Sequence, residues 1–176
     1  MVRRILRDEA GAAVITLYMA MLLLVFGVLA CDYARAFAVR SRLQTACDAA
    51  SLAAAMTAAP VPEYSYTVIR DGSGQVVAVQ ENIDGWHAEI RDPAAARLVA
   101  DGAFQKNTGF AEAPVTDREG EVVWRAYPDR YRYAARADVK MFLLGGPLAR
   151  WIAGAPDGRL PVAAGGTAQA VVEERP

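Results

Sequence analysis

Residues 11–55 read GAAVITLYMAMLLLVFGVLACDYARAFAVRSRLQTACDAASLAAA. The stretch from Gly11 to Ala30 carries no charge. As a helix rising about 1.5 Å per residue it is long enough to cross a hydrocarbon core of about 30 Å. No proline interrupts it, so every backbone amide in the run can be paired within the helix, as a lipid environment demands. Arg3, Arg4, Arg7, Asp8 and Glu9 bracket one end, and Asp32 and Arg35 bracket the other. Beyond Asp32 neither proline nor glycine occurs until Pro60, which predicts that the helix runs on for several turns outside the bilayer.

This divides the chain into a tail (1–10), a transmembrane helix (11–31), its continuation (32–59) and a small α+β domain (60–176). Arg35, Arg40 and Arg42 balance Arg3, Arg4 and Arg7, so the basic flanks do not set the orientation. A long folded domain crosses a membrane largely regardless of its charge, and on that ground the tail is placed in the cytoplasm and the domain outside. Candidate processing points are Gly11, Ala34-Arg35-Ala36 for a secretory signal, and Cys31, which ends a lipoprotein-like Val28-Leu29-Ala30-Cys31. Asp8 and Glu9 and the length of the apolar run speak against a cleaved signal. Cys31 and Cys47 lie on one helix and cannot meet.

Ala36, Val39, Leu43, Ala46, Ala50, Ala53 and Thr57 recur at steps of three and four and fall on one face of the continuation. Ser41, Gln44, Asp48 and Ser51 mark a polar face. The apolar stripe is mostly alanine, which buries little area but lets a neighbouring backbone come close. Two occupants of that stripe stay open, the chain's own domain and a neighbouring subunit.

The same segment resembles the N-terminal region of the TadE/TadG-like proteins of bacterial tight-adherence (Tad, or Flp) pilus assembly. The resemblance rests on Gly11 before the apolar run, on Asp32, Tyr33 and Arg35 after it, and on Leu43-Gln44, Ala46, Asp48-Ala49-Ala50 and Leu52 to Ala55. It implies a minor pilin, or pseudopilin-like assembly subunit, of the inner membrane. Its partners would be lipid along residues 11–31 and other pilus subunits, and it implies no enzyme activity. Cleaved members carry a glutamate at the fifth residue after the cut; that position, counted from Gly11, is Thr16. The departure favours the uncleaved TadG branch. The positions singled out for helix assembly are Asp32, Ala36, Val39, Leu43, Gln44, Ala46, Asp48, Ala50 and Ala53.

Past Pro60 and Pro62 the pattern turns to β. Residues 63–70 and 75–80 flank Asp71-Gly72-Ser73-Gly74 and predict a hairpin. Asp92 is placed to cap a helix opening at Pro93, with Ala94, Leu98, Ala100 and Phe104 at helical spacing. A strand is expected to begin at Val122-Val123-Trp124. Residues 131–140 alternate strictly, with Tyr131, Tyr133, Ala135, Ala137 and Val139 on one side and Arg132, Arg136, Asp138 and Lys140 on the other. Met141 to Ala153 predicts a short core or membrane-proximal helix, and Leu160 to Val172 a closing strand, with Gly165-Gly166 as a turn or kink ahead of it. The plan is a pilin-like one, an antiparallel sheet packed on the outer half of the long helix.

The net charge is -1, which gives no global attraction for nucleic acid. His87 is the sole histidine, read as a surface or loop residue, so no multi-histidine metal site can form. Asp71-Gly72-Ser73-Gly74 is read as a turn and not as a metal-adhesion loop, since Gln75 stands where a serine is needed. The interleaved Arg125, Tyr127, Arg130, Tyr131, Arg132, Tyr133 and Arg136 are read as a half-buried strand and not a nucleic-acid platform. No catalytic residue, cofactor, metal, nucleic acid or small-molecule substrate is expected. The competing functional reading is a membrane-tethered extracytoplasmic binding module, lipidated at Cys31.

Overall fold

The computed structural model describes residues 2–109, 113–141 and 158–173, with side chains described from residue 11 onward. A single helix, α1 (Val2–Ala55), takes in both the apolar run and its continuation, so the segment ahead of Gly11 is part of the same rod. At about 1.5 Å per residue it is about 80 Å long. Residues 11–27 are exposed on all sides, and burial begins at Val28. A helix with apolar side chains on every face and nothing packed on them is one that suits lipid as its solvent. Of the described helices, this one is long and apolar enough to cross a membrane.

Above that level α1 enters a protein core. Ala36, Val39, Leu43, Ala46, Cys47, Ala50 and Ala54 are buried against the rest of the chain. The helix ends at Ala55, and Thr57 and Ala58 close it with hydrogen bonds to Ala54 and Ala55 carbonyls. The chain then turns directly into β1 (Ala59–Arg70), which pairs antiparallel with β2 (Val76–Glu89) as a two-stranded ribbon. Asp71 makes the turn: one carboxylate oxygen accepts from the Ser73 and Gln75 amides and the Ser73 hydroxyl. Gly74 supplies the positive φ of 84° that the turn needs. The metal-loop alternative is thereby replaced by a built turn.

Helix α2 (Pro93–Asn107) opens as its sequence predicts, with the Asp92 carboxylate accepting from the Ala94 and Ala95 amides ahead of a proline at the first turn. Its inner stripe differs from the one expected. Ala96, Ala100 and Phe104 face α1, whereas Ala94 and Leu98 point to solvent. The i, i+4 run of two alanines and a terminal phenylalanine lets the helices approach closely, which a leucine in the stripe would not.

The remaining strands form an antiparallel sheet in the order β3 (Val115–Val123), β4 (Arg130–Lys140), β5 (Arg159–Gln169). In β4, Tyr131, Tyr133, Ala135, Ala137 and Val139 are all buried, as the alternation predicts. With both tyrosines about 1% exposed, β4 has no stacking face for bases. The strand expected to begin at Val122 instead ends at Val123. Its polar middle, Asp117 to Glu121, hides the strand from a hydrophobicity pattern and suits an edge that must not pair further. Gly165 and Gly166 lie inside β5, not ahead of it. The helix expected over 141–153 lies outside the described residues except Met141, which is buried and donates to the Gly158 carbonyl.

The two core tyrosines of β4 differ in one respect. Tyr133 donates its hydroxyl to the Asp101 carboxylate on α2 and packs its ring against Phe104. Burial, then that hydrogen bond, pushes its pKa far above the ordinary tyrosine range. The Tyr131 hydroxyl is buried with no partner and lies over Gly120, 2.5 Å from where a β-carbon would sit. Tyr133→Phe is therefore expected to destabilise the domain by about 1–2 kcal/mol, while Tyr131→Phe, which removes an unpaired hydroxyl, leaves stability unchanged or raised. Thermal melts of both variants in detergent check the contrast.

Candidate assembly site

The positions singled out on α1 sort by height. Ala36, Val39, Leu43, Ala46 and Ala50 line the core facing the sheet and α2, with Leu43, Ala46 and Ala50 wholly enclosed. Ala53 is half-buried and Thr57 exposed; Ala54, one residue on, takes the core position. The step from 50 to 54 extends the stripe by a full i+4, so a strict three-four alternation misses it. The stripe is thus occupied by the chain's own domain.

The polar face is split: Ser41 and Asp48 are exposed, and Gln44 and Ser51 are not. Ser51 is buried and donates to the Asp48 carbonyl. Gln44 is half-buried and its amide nitrogen donates both to the Gly165 carbonyl, at 2.8 Å, and to the Asp48 carboxylate, at 2.9 Å. These bonds tie α1 to β5 over a sequence separation of 121 residues. Next along β5, a β-carbon on Gly166 would lie 2.8 Å from the backbone nitrogen and α-carbon of Asp48. The helix backbone and the strand backbone therefore meet with no side chain between them. Leu43-Gln44, Asp48 and Gly165-Gly166, which lie at opposite ends of the sequence, form one contact.

Cys47 sits in the same contact, wholly buried, with its thiol 3.6 Å from the Ala164 carbonyl. Burial, helped by the neighbouring Asp48 carboxylate, pushes its pKa up to about 11, so the reactive thiolate is scarce at neutral pH. Cys31 is exposed. Asp32 is buried although it lies at the end of the apolar run, and both it and Arg35 are engaged in polar or electrostatic contacts. Thr16, the position that departs from cleaved pilins, turns its hydroxyl back onto the Ala12 carbonyl, a way of hiding a polar group on a lipid-facing helix.

His87 lies in β2, not in a loop. Its ring stacks on Tyr127, with centroids 3.8 Å apart, and its Nδ1 is 3.2 Å from Glu63 at ion-pair distance without hydrogen-bond alignment. Among the described residues no group of three or more His, Cys, Asp or Glu is placed to hold a metal.

Residues 11–57 match the Tad family, Flp pilus-assembly TadE/G-like. The matched stretch is α1 from the start of its apolar run to just past its last turn, the same rod that is bare below and clamped above. Over that stretch the chain is similar to the TadE/TadG-like family, and its N-terminal apolar helix fits a single-pass, membrane-anchored, pilus-related protein. The match spans TadE and TadG alike and stops before β1. No curated protein and no solved structure matches the chain.

Gly166→Ala is expected to cost about 1–3 kcal/mol, because the added methyl meets helix backbone that cannot rotate away. Gly165→Ala, whose β-carbon would find its nearest neighbour at 3.5 Å, should cost less. Thermal denaturation of the two variants side by side checks the ordering. In the folded protein Cys47 should resist maleimide at neutral pH and react once the chain is denatured, as peptide mapping of the adducts would show.

Proposed function

We propose that the protein is a minor pilin or pilus-assembly subunit of the Tad/Flp type that works by helix packing and protein–protein contact and is not an enzyme. On this reading it sits in the bacterial cytoplasmic membrane with its N-terminus inside and its domain outside, uncleaved, in the manner of the TadG branch. The observation that carries the reading is that the family match coincides with one continuous helix, exposed throughout its apolar run and enclosed by its own domain above it. Since the chain's own sheet covers Ala36 to Ala50, contact with other pilus subunits falls to the bare part of α1 and to its outward Tyr33 and Phe37. Beside these two residues runs a groove against Leu160 and Val162 of β5, wide enough to take side chains of a neighbouring helix.

The test separates anchoring from assembly. In a host that makes the pilus, replacing residues 12–30 with an unrelated polyleucine helix is expected to leave the protein membrane-bound, folded and at normal levels, yet to abolish piliation. Full piliation by that variant would remove the bare helix from the assembly role. Intact mass of the native protein should equal the uncut chain; a lipidated N-terminus at Cys31 would instead establish the tethered binding module. Ala50→Glu buries an unpaired carboxylate in the core and should lower the protein level severalfold, as immunoblotting would measure.

A further inference from the structure

Cross-strand partners in the β1–β2 ribbon share a face, so the register sorts its side chains. Tyr64 with Ile83, Tyr66 with Glu81, Val68 with Val79, and Pro62 with Trp86 lie on one side. Ser65 with Asn82 and Thr67 with Gln80 lie on the other, where Asn82 donates to the Thr67 hydroxyl and Ile69 with Ala78 follows at the tip. The ribbon is therefore amphipathic. Its more polar side resembles the solvent face of any antiparallel sheet, but among the described residues its apolar side is left uncovered: residues 66–81 are exposed throughout, and no other described element packs extensively on either strand.

We propose that this face docks a second copy of the same chain, two ribbons stacking apolar side to apolar side. Tyr66 is 63% exposed, and Tyr64, Val68, Val79, Ile83 and Trp86 between 47% and 57%. Six such side chains offer roughly 650 Å², inside the range of about 600–1,000 Å² per partner that specific interfaces bury. An isolated two-stranded ribbon is marginal in water and needs a covering layer. A second ribbon supplies that layer at the ordinary spacing of stacked sheets, about 10 Å. Because the large apolar side chains gather on one side of each ribbon, with Ile69 at the tip the exception on the other, two copies use up the contact and it closes on itself. The face carries Glu81, which accepts from the Tyr66 hydroxyl on the same face at 3.3 Å, and at its tip Arg70, which donates to the Gly74 carbonyl, so charges of both signs lie on it. Chains anchored in one membrane with a common orientation are also concentrated for such pairing. The inference needs membrane anchoring and does not need the pilus role.

Purified full-length protein in detergent at micromolar concentration tests it by light scattering. The native chain should be a dimer, and so should a Thr67→Lys, Gln80→Lys variant altered on the polar face. Val68→Lys with Val79→Lys should weaken association by at least about tenfold, with an unchanged circular dichroism spectrum and melt confirming the fold. A monomeric native protein, or a dimer untouched by the Val68 and Val79 changes, overturns the proposal. A photo-crosslinker at position 66 in cells should join two copies of this chain; adducts solely to a different protein assign the face to that protein and overturn it too.

Discussion

The close approach of α1 to β5 is the constraint on which the rest of the structure depends. Where Gly166 passes Asp48 there is no room for a methyl group, and the Gln44 side chain bonds the strand's backbone just beside it. A three-stranded sheet with a charged edge at β3 cannot enclose a core alone; α1 and α2 cover its inner face. Alanines at 36, 46, 50 and 54 bring the helix near enough for two bulky tyrosines of β4 to fill the space between. Small residues on the helix and large ones on the strand are two halves of one packing solution.

The same helix answers to two environments along its length. Over residues 11–27 it presents apolar side chains in every direction, and above Asp32 it hides one stripe, leaving Tyr33, Phe37 and Leu52 as the large apolar side chains that stay outside. The switch costs no break in the backbone, because each environment asks something of side chains alone. Asp32 marks the transition and is itself buried and partnered. The motif residues clustered beyond it, Leu43, Gln44, Ala46, Asp48 and Ala50, all serve the joint between rod and domain. Their spacing is accounted for by packing within the chain.

The elements most legible in the sequence were those with one dominant period: the uncharged run of α1, the alternation of β4, and the Asp92-Pro93 start of α2. Each rests on local rules. The polar middle of β3 was missed because an edge strand needs no apolar pattern. Gly165-Gly166 was misread as a turn because a glycine pair looks alike whether it bends a chain or admits a neighbour, and the neighbour, Asp48, lies far away in sequence. Ser51 and Gln44 could be read as polar-face residues, but not what they bond, because their partners belong to the helix backbone and to β5. His87 looked like a loop residue because its stacking partner, Tyr127, is in a different segment. Positions along the helix stripe were readable, but which body would cover them was a question of tertiary structure.

Between Val28 and Ala55 the rod contains neither glycine nor proline, and the domain grips it over most of that length. The head therefore has no swivel of its own and must follow the angle at which the rod stands in the bilayer. The rod reaches about 36 Å past Cys31, so a lean of about 20°, ordinary for a membrane helix, would carry its top about 12 Å sideways. Whatever crowds or tilts the anchor is thus reported as a displacement at the far end, where the ribbon begins. The molecule is built as a lever with its fulcrum in lipid.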